Sequence, residues 1–203
     1  MTKSNEKVTR LVLLALFTAI MIIMSTTPLG YLNIGPLAIT LNVIPLGIAA
    51  IALGPTGGLA MGAVFGITSF LQCIGVGGVS AMGAALFQLN PVLAFVQRFV
   101  PRVLDGLIIG LFHKFMVKKI GEKISCFITG FLAAFLNTLL FMGALVLLFG
   151  NTTYLQELMG GKNVIVFICT FVGINAIFEI LASTVITGSI GSILYKSKVI
   201  KLK

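Results

Sequence analysis

The strongest constraint on this 203-residue chain is that apolar runs long enough to cross a bilayer follow one another with almost no charge between them. Lipid offers no partner to a backbone N–H or C=O, so such a run must satisfy its own hydrogen bonds as a helix of about 20 residues. A water-soluble domain carries roughly a quarter charged residues. Here the charged share is 9% against 58% hydrophobic. The chain is therefore read as an all-α membrane protein, and its few charges become the guide to its purpose.

Turn residues divide the apolar sequence into six spans, at about 11–27, 41–53, 59–74, 91–117, 124–149 and 164–195. They fill residues 1–203 as a single integral membrane domain, one bundle with no soluble domain beside it. The first run has no small-residue cleavage site after it and is expected to be retained. The 28–40 loop has extended or turn character, and Gly54-Pro55-Thr56-Gly57-Gly58 reads as a tight turn. The 75–90 segment reads as a Gly-rich connection with few side chains able to reach a ligand, 118–123 as a basic turn and 150–163 as a polar loop. Basic residues fall on one side: Lys3, Lys7 and Arg10, then Lys114, Lys118, Lys119 and Lys123, then Lys196, Lys198, Lys201 and Lys203. The loops of the other side hold only Lys162. Basic loops stay in the cytoplasm, so both termini are expected there and the 28–40, 75–90 and 150–163 loops outside.

The same distribution disposes of the net charge of +9. In a soluble protein it would suggest nucleic acid; at the ends of spans it reports orientation, and no nucleic-acid partner is expected. Cys73, Cys126 and Cys169 stand apart in apolar stretches, without the spacing of a metal site or a disulfide framework. Nothing resembles a phosphate-binding GxxxxGK[ST] loop, so the chain does not hydrolyse ATP itself. With no HExxH, no GxSxG and no carboxylate cluster, no catalytic residue, metal or cofactor is assigned and an enzyme is not the expected reading. His113, the single histidine, is read as interfacial beside Lys114.

Four ionisable residues remain inside spans: Arg98, Arg102, Asp105 and Glu179. Each costs about 2.5–3.5 kcal/mol on insertion scales, so it must face protein, water or a ligand. Arg98 and Arg102 share a helix face, and Arg102 and Asp105 are spaced to pair. Two readings follow: an internal Arg102–Asp105 ion pair with Arg98 snorkelling outward, or a cationic receptor for an anionic solute. Glu179 lies midway along the sixth span with Asn175 one turn before it. It could pair with a cation on a neighbouring helix or hydrogen-bond a polar ligand. Asn137 is a further buried amide; Gln72 and Gln88 border the second outer loop; Thr40 and Asn42 close the first, which also carries Tyr31. As a set these resemble the polar lining of a solute pocket. On the first span, Ala15 and Ala19 form a small-residue stripe that lets another helix come close.

The chain resembles the substrate-binding S components of energy-coupling factor (ECF) vitamin transporters. The likeness lies in PLGYLNIGPLAITLNVIPLGIAAIALGPTGG, GAVFGITSF, FVPRVLDGLIIGLF, NTLLFMGALVLLFG and GINAIFEILASTVIT, which together cover most of residues 28–190. Among the subfamilies it looks most like the pantothenate type. The resemblance implies a six-helix bundle in the bacterial cytoplasmic membrane, with a vitamin pocket near the outer surface closed by the loops after the first and third spans. It also implies that Ala15 and Ala19 dock on a transmembrane T component, that two ATPase subunits drive uptake, and that the subunit topples to release its substrate inward. For pantothenate, Arg98 or Arg102 would take the carboxylate. Asn137, Asn175, Glu179, Gln72 and Asn42 would take the hydroxyls and amide. Riboflavin, folate or biotin are the alternative substrates; a membrane-embedded enzyme or a structural subunit are the alternatives outside the class.

Overall fold

The computed structural model describes residues 3–33 and 38–197. The expected positive charges Lys198, Lys201 and Lys203, and residues 34–37 of the first loop, lie outside the described residues. In chain order the elements are α1 (Lys3–Thr26), β1 (Tyr31–Asn33), β2 (Ala38–Thr40), α2 (Val43–Leu71), a 3-10 turn (Gln72–Ile74), α3 (Ala81–Leu89), α4 (Pro91–Ile120), α5 (Glu122–Phe149), α6 (Thr153–Met159) and α7 (Val164–Lys196).

The α2 helix is broken at Gly54, whose φ of 72° and ψ of −160° lie where only glycine rests without strain. Pro55 then begins a second limb, a position where its missing N–H costs nothing. The limbs fold back on each other: a Cβ on Gly58 would stand 3.3 Å from the Cβ of Ala50. Along a straight helix those positions would be about 12 Å apart. The reversal thus occupies two residues rather than five, and Thr56, Gly57 and Gly58 are already helical.

The second limb runs against α4 along a seam of glycines. A Cβ on Gly58 would strike the Gly106 carbonyl, one on Gly62 the Arg102 carbonyl, and one on Gly66 would lie 2.9 Å from Phe99 Cα. Such backbone-to-backbone approach is how helices associate where lipid removes the hydrophobic drive. On the other side Ser183 of α7 donates to the Gly130 carbonyl of α5 at 2.7 Å. One apolar core joins the first limb of α2 to Phe17 and Met21 of α1, Ile109 of α4 and Ala133 and Ala134 of α5. A second joins Met82 and Leu86 of α3 to Phe141, Met142 and Phe149 of α5, Leu155 of α6 and Phe167 of α7.

Two short helices replace expected loops. Ser80 caps α3, its hydroxyl accepting from Gly83 N–H at 3.1 Å, and Thr152 caps α6, accepting from Leu155 N–H at 3.4 Å. In the first loop Tyr31–Asn33 and Ala38–Thr40 pair as an antiparallel hairpin with Tyr31 opposite Thr40. Among the described residues, four helical stretches can cross a membrane by length and composition: Lys7–Thr26, Val43–Ile74, Glu122–Phe149 and Asn175–Lys196. A fifth appears if Thr153–Met159 and Val164–Gly173, bent by 74°, form one span. The α4 helix falls outside this set because any stretch of it long enough to cross carries at least three charged side chains. The outer surface is apolar: Leu11 and Ile23 on α1, Leu147 on α5 and Ile177 on α7 are all exposed.

Candidate ligand-binding site

A cavity of about 610 Å³ lies at the end of the bundle where α1 finishes and α4 begins. Its wall is assembled from Thr26 to Pro28 at the end of α1, Tyr31 and Thr40 of the hairpin, Gln72, the 77–82 segment, and the inward faces of α4, α5 and α7. Its volume is that of a small-molecule site.

The α4 wall is set by its start. The Asn90 carboxamide oxygen accepts from Val92 and Leu93 N–H, both at 3.1 Å, and Pro91 takes the first helical position. With the register fixed, Arg98, Arg102 and Asp105 fall on one buried face. Pro101 has no N–H to give, which frees the carbonyl of Gln97, and Arg102 Nη1 donates to it at 3.4 Å. Arg98 is held by hydroxyls, Nη1 to Ser69 Oγ at 3.5 Å and Nη2 to Ser80 Oγ at 3.1 Å. Both guanidinium groups sit over the Phe141 ring, with Arg98 Cζ 5.2 Å and Arg102 Cζ 4.1 Å from its centroid. Arg102 also lies 5.4 Å from the Phe65 centroid.

Neither arginine makes an ion pair among the described residues. The expected Arg102–Asp105 pair does not form: Asp105 is fully buried and neither carboxylate oxygen has a hydrogen-bond partner. Arg98 does not snorkel, being only 5% exposed. The cavity therefore presents two cationic groups on one wall, neither of them in an ion pair, although the Glu179 carboxylate lines the same cavity. Glu179, 5% exposed, instead accepts the backbone N–H of Thr40 at 2.5 Å. The register explains why that N–H is available. Leu41 N–H donates to the Gly30 carbonyl, so the alternating ladder turns Thr40 N–H away from β1.

Of the residues singled out in the sequence, Tyr31, Thr40, Gln72, Arg98, Arg102, Asn137, Asn175 and Glu179 meet in this wall. Asn137 Oδ1 is buried without a partner, while Gln72 Nε2 is spent on the Ser25 carbonyl at 3.1 Å. Tyr31 Oη has no hydrogen-bond partner, and burial pushes its phenol above the usual value, so it stands as a neutral hydroxyl. Two residues fall elsewhere. Asn42 is fully buried and does not line the cavity; neither atom of its amide is hydrogen-bonded. Gln88 is exposed on α3, because the helix beginning at Ala81 turns Met82 and Leu86 inward instead. Ala15 and Ala19 are exposed on α1.

His113 is a correction. It is not interfacial but buried, with Nδ1 2.8 Å from Thr129 Oγ1 and Nε2 2.9 Å from Tyr195 Oη. Thr129 gives its own proton to the Ser125 carbonyl at 2.7 Å. It must therefore accept from Nδ1–H, which leaves Nε2 to accept from Tyr195. The three cysteines are separate free thiols. Ser69, Ser80 and Phe141 were not among the sequence candidates, although a Ser directly before an apolar helix and an aromatic one turn after Asn137 were signals for two of them.

The sequence matches the family model of the substrate-specific component of ECF transporters over residues 9–191. It is 32% identical over 202 residues to a Leuconostoc mesenteroides protein named pantothenate transporter PanT, covering 94% of each chain. It is 26% identical over 207 residues to the Lactococcus lactis subsp. cremoris protein named pantothenic acid transporter PanT, covering 96% of this chain and 97% of that one. Together with its apolar helices and lipid-suited surface, these matches make the chain a multi-pass protein of the cell membrane that belongs to the substrate-specific components of ECF transporters.

Proposed function

We propose that this chain is the pantothenate-binding subunit of an ECF importer, capturing the vitamin outside and delivering it inward with a T component and two ATPases. The observation that carries the reading is the pair of buried arginines lining the cavity, neither ion-paired with a described carboxylate, while Glu179 in the same wall is bonded to the Thr40 N–H. A buried cation without a counter-ion is costly, and a carboxylate ligand supplies what the protein withholds. Pantothenate is a small branched acid with a carboxylate, an amide and two hydroxyls around a gem-dimethyl carbon. Asn137, Thr138 and Tyr31 offer partners for its polar groups, and Met142, Phe141 and Val172 an apolar wall for the methyls. The names of the two similar proteins point to the same ligand.

In this reading the bundle crosses the membrane six times, through α1, the two limbs of α2, α4, α5 and α7. Support comes from the end of the bundle opposite the cavity. There Arg10 donates to the Leu53 carbonyl and to Thr56 Oγ1, both at 3.0 Å, and Lys118 and Lys119 close α4. That end is cytoplasmic, with both termini, and the cavity faces outward. The exposed Ala15–Ala19 stripe is the face offered to the T component.

Uptake measurements test the proposal. Cells expressing this chain together with an ECF T component and ATPase pair should accumulate radiolabelled pantothenate, and cells expressing the chain alone should not. No accumulation of pantothenate by cells that do accumulate radiolabelled riboflavin, folate or biotin through the same subunits would overturn the substrate while leaving the class.

A further inference from the structure

We infer that the two arginines divide the work: Arg102 is the carboxylate receptor that gives the site its preference for an acid, and Arg98 is a positioning residue for the wall formed by residues 77–82. The inference rests on the pantothenate reading and assigns one end of that ligand.

A guanidinium binds a carboxylate two-pronged through one edge, and its Nε–H and Nη2–H form such an edge. In Arg102 the opposite corner, Nη1, is committed to the Gln97 carbonyl freed by Pro101. Nε is buried without a partner and Nη2 makes no hydrogen bond to the described residues. Asp105, three residues on, leaves both its oxygens unpartnered and so does not occupy that edge. The Phe141 ring, 4.1 Å from Cζ, supports the plane of the group. Arg102 lines the cavity and thus keeps one whole edge, Nε and Nη2, free of hydrogen bonds to the described residues.

Arg98 is more heavily committed: its Nη1 and Nη2 each donate to a hydroxyl, so neither nitrogen pair is free of protein partners. One of those hydroxyls, Ser80 Oγ, also caps α3 by accepting from Gly83 N–H. Arg98 therefore ties the start of α3 to α4 and to Ser69 of α2, and holds in place the segment that borders the cavity.

The test compares pantothenate with pantothenyl alcohol, in which a primary alcohol replaces the carboxylate, using the purified full chain. Wild type should prefer the acid. Arg102→Gln should lose ~10- to 100-fold in affinity for pantothenate and little for the alcohol, so that the preference collapses. Arg98→Gln should weaken both ligands in parallel and keep the preference. Alcohol binding itself reports that Arg102→Gln is folded. Should that variant bind neither ligand, Arg102→Lys, which keeps the charge without the fork, is expected to bind the alcohol and show a reduced preference. A preference intact in Arg102→Lys or Arg102→Gln, or one lost only in Arg98→Gln, overturns the assignment. Wild type that binds neither ligand overturns the pantothenate reading itself.

Discussion

Adding a single methyl group at Gly106 should cost more than its size suggests, because that glycine sets the spacing on which Arg102 depends. A Cβ there would overlap the carbonyl oxygen of Gly58, stand 2.7 Å from its carbonyl carbon and 3.1 Å from Leu46 Cδ1. A carbon rests at about 3.3 Å or more from a carbonyl oxygen, so relieving the overlap with the Gly58 oxygen requires the second limb of α2 and α4 to part by about 1 Å. Both partners at the clash are main chain and cannot rotate away. Overpacking of this kind costs about 1–3 kcal/mol, against a helix-propensity gain of up to about 1 kcal/mol for Gly→Ala. The net for Gly106→Ala is a loss of up to about 2 kcal/mol. Gly143 supplies the control, since a Cβ there meets nothing within 4 Å; Gly143→Ala should be neutral or slightly stabilising. Because Arg102 lies one turn from Gly106 and its own carbonyl meets Gly62 in the same seam, pantothenate affinity should fall with stability at Gly106 and hold at Gly143. Thermal melting in detergent and equilibrium binding read the two quantities. Equal effects at the two glycines would refute the seam as the element that places the arginine.

Other consequences concern the hairpin and the docking face. Glu179→Ala removes the acceptor of the Thr40 N–H, a charge-assisted bond of about 1.5–3 kcal/mol. Hydrogen exchange at the Thr40 amide should quicken by ~10-fold or more, and unchanged protection there would remove Glu179 from the hairpin's support. Ala15→Trp and Ala19→Trp, on an exposed face, should leave pantothenate binding by the isolated chain unchanged and abolish uptake with the partner subunits present. Full uptake would contradict docking at that stripe, and lost binding would assign the stripe to the chain's own packing.

The chemistry of the wall was legible in the sequence because charge is expensive in lipid: Arg98, Arg102 and Glu179 had to be explained wherever they fell. What each one touches was not, since spacing alone cannot choose between partners. Arg102 and Asp105 are three apart and free to pair, yet the arginine turns to a carbonyl that exists as an acceptor only because Pro101 follows one turn later. For Glu179 the sequence allows a cation or a ligand, and its observed partner is a backbone N–H on a strand 139 residues earlier. The Gly54–Pro55 reversal is narrower than the sequence suggests, because Gly57 and Gly58 resemble turn residues when their work is close packing, Gly57 against Leu53 and Ala49 and Gly58 against Ala50 and Gly106. His113 looked interfacial beside Lys114; the helix turns the lysine outward and the imidazole toward Thr129 and Tyr195, which lie in other helices. The α3 and α6 helices escaped notice because glycines and short length masked caps that Ser80 and Thr152 supply.

Equilibrium binding of radiolabelled pantothenate to the purified chain, without T component or ATPases, tests the central claim most directly. The account predicts saturable binding of one pantothenate per chain, displaced by unlabelled pantothenate and not by riboflavin, folate or biotin. Absence of saturable binding by a folded, monodisperse preparation would contradict it: the arginines above Phe141 would then be holding the bundle together rather than waiting for an acid.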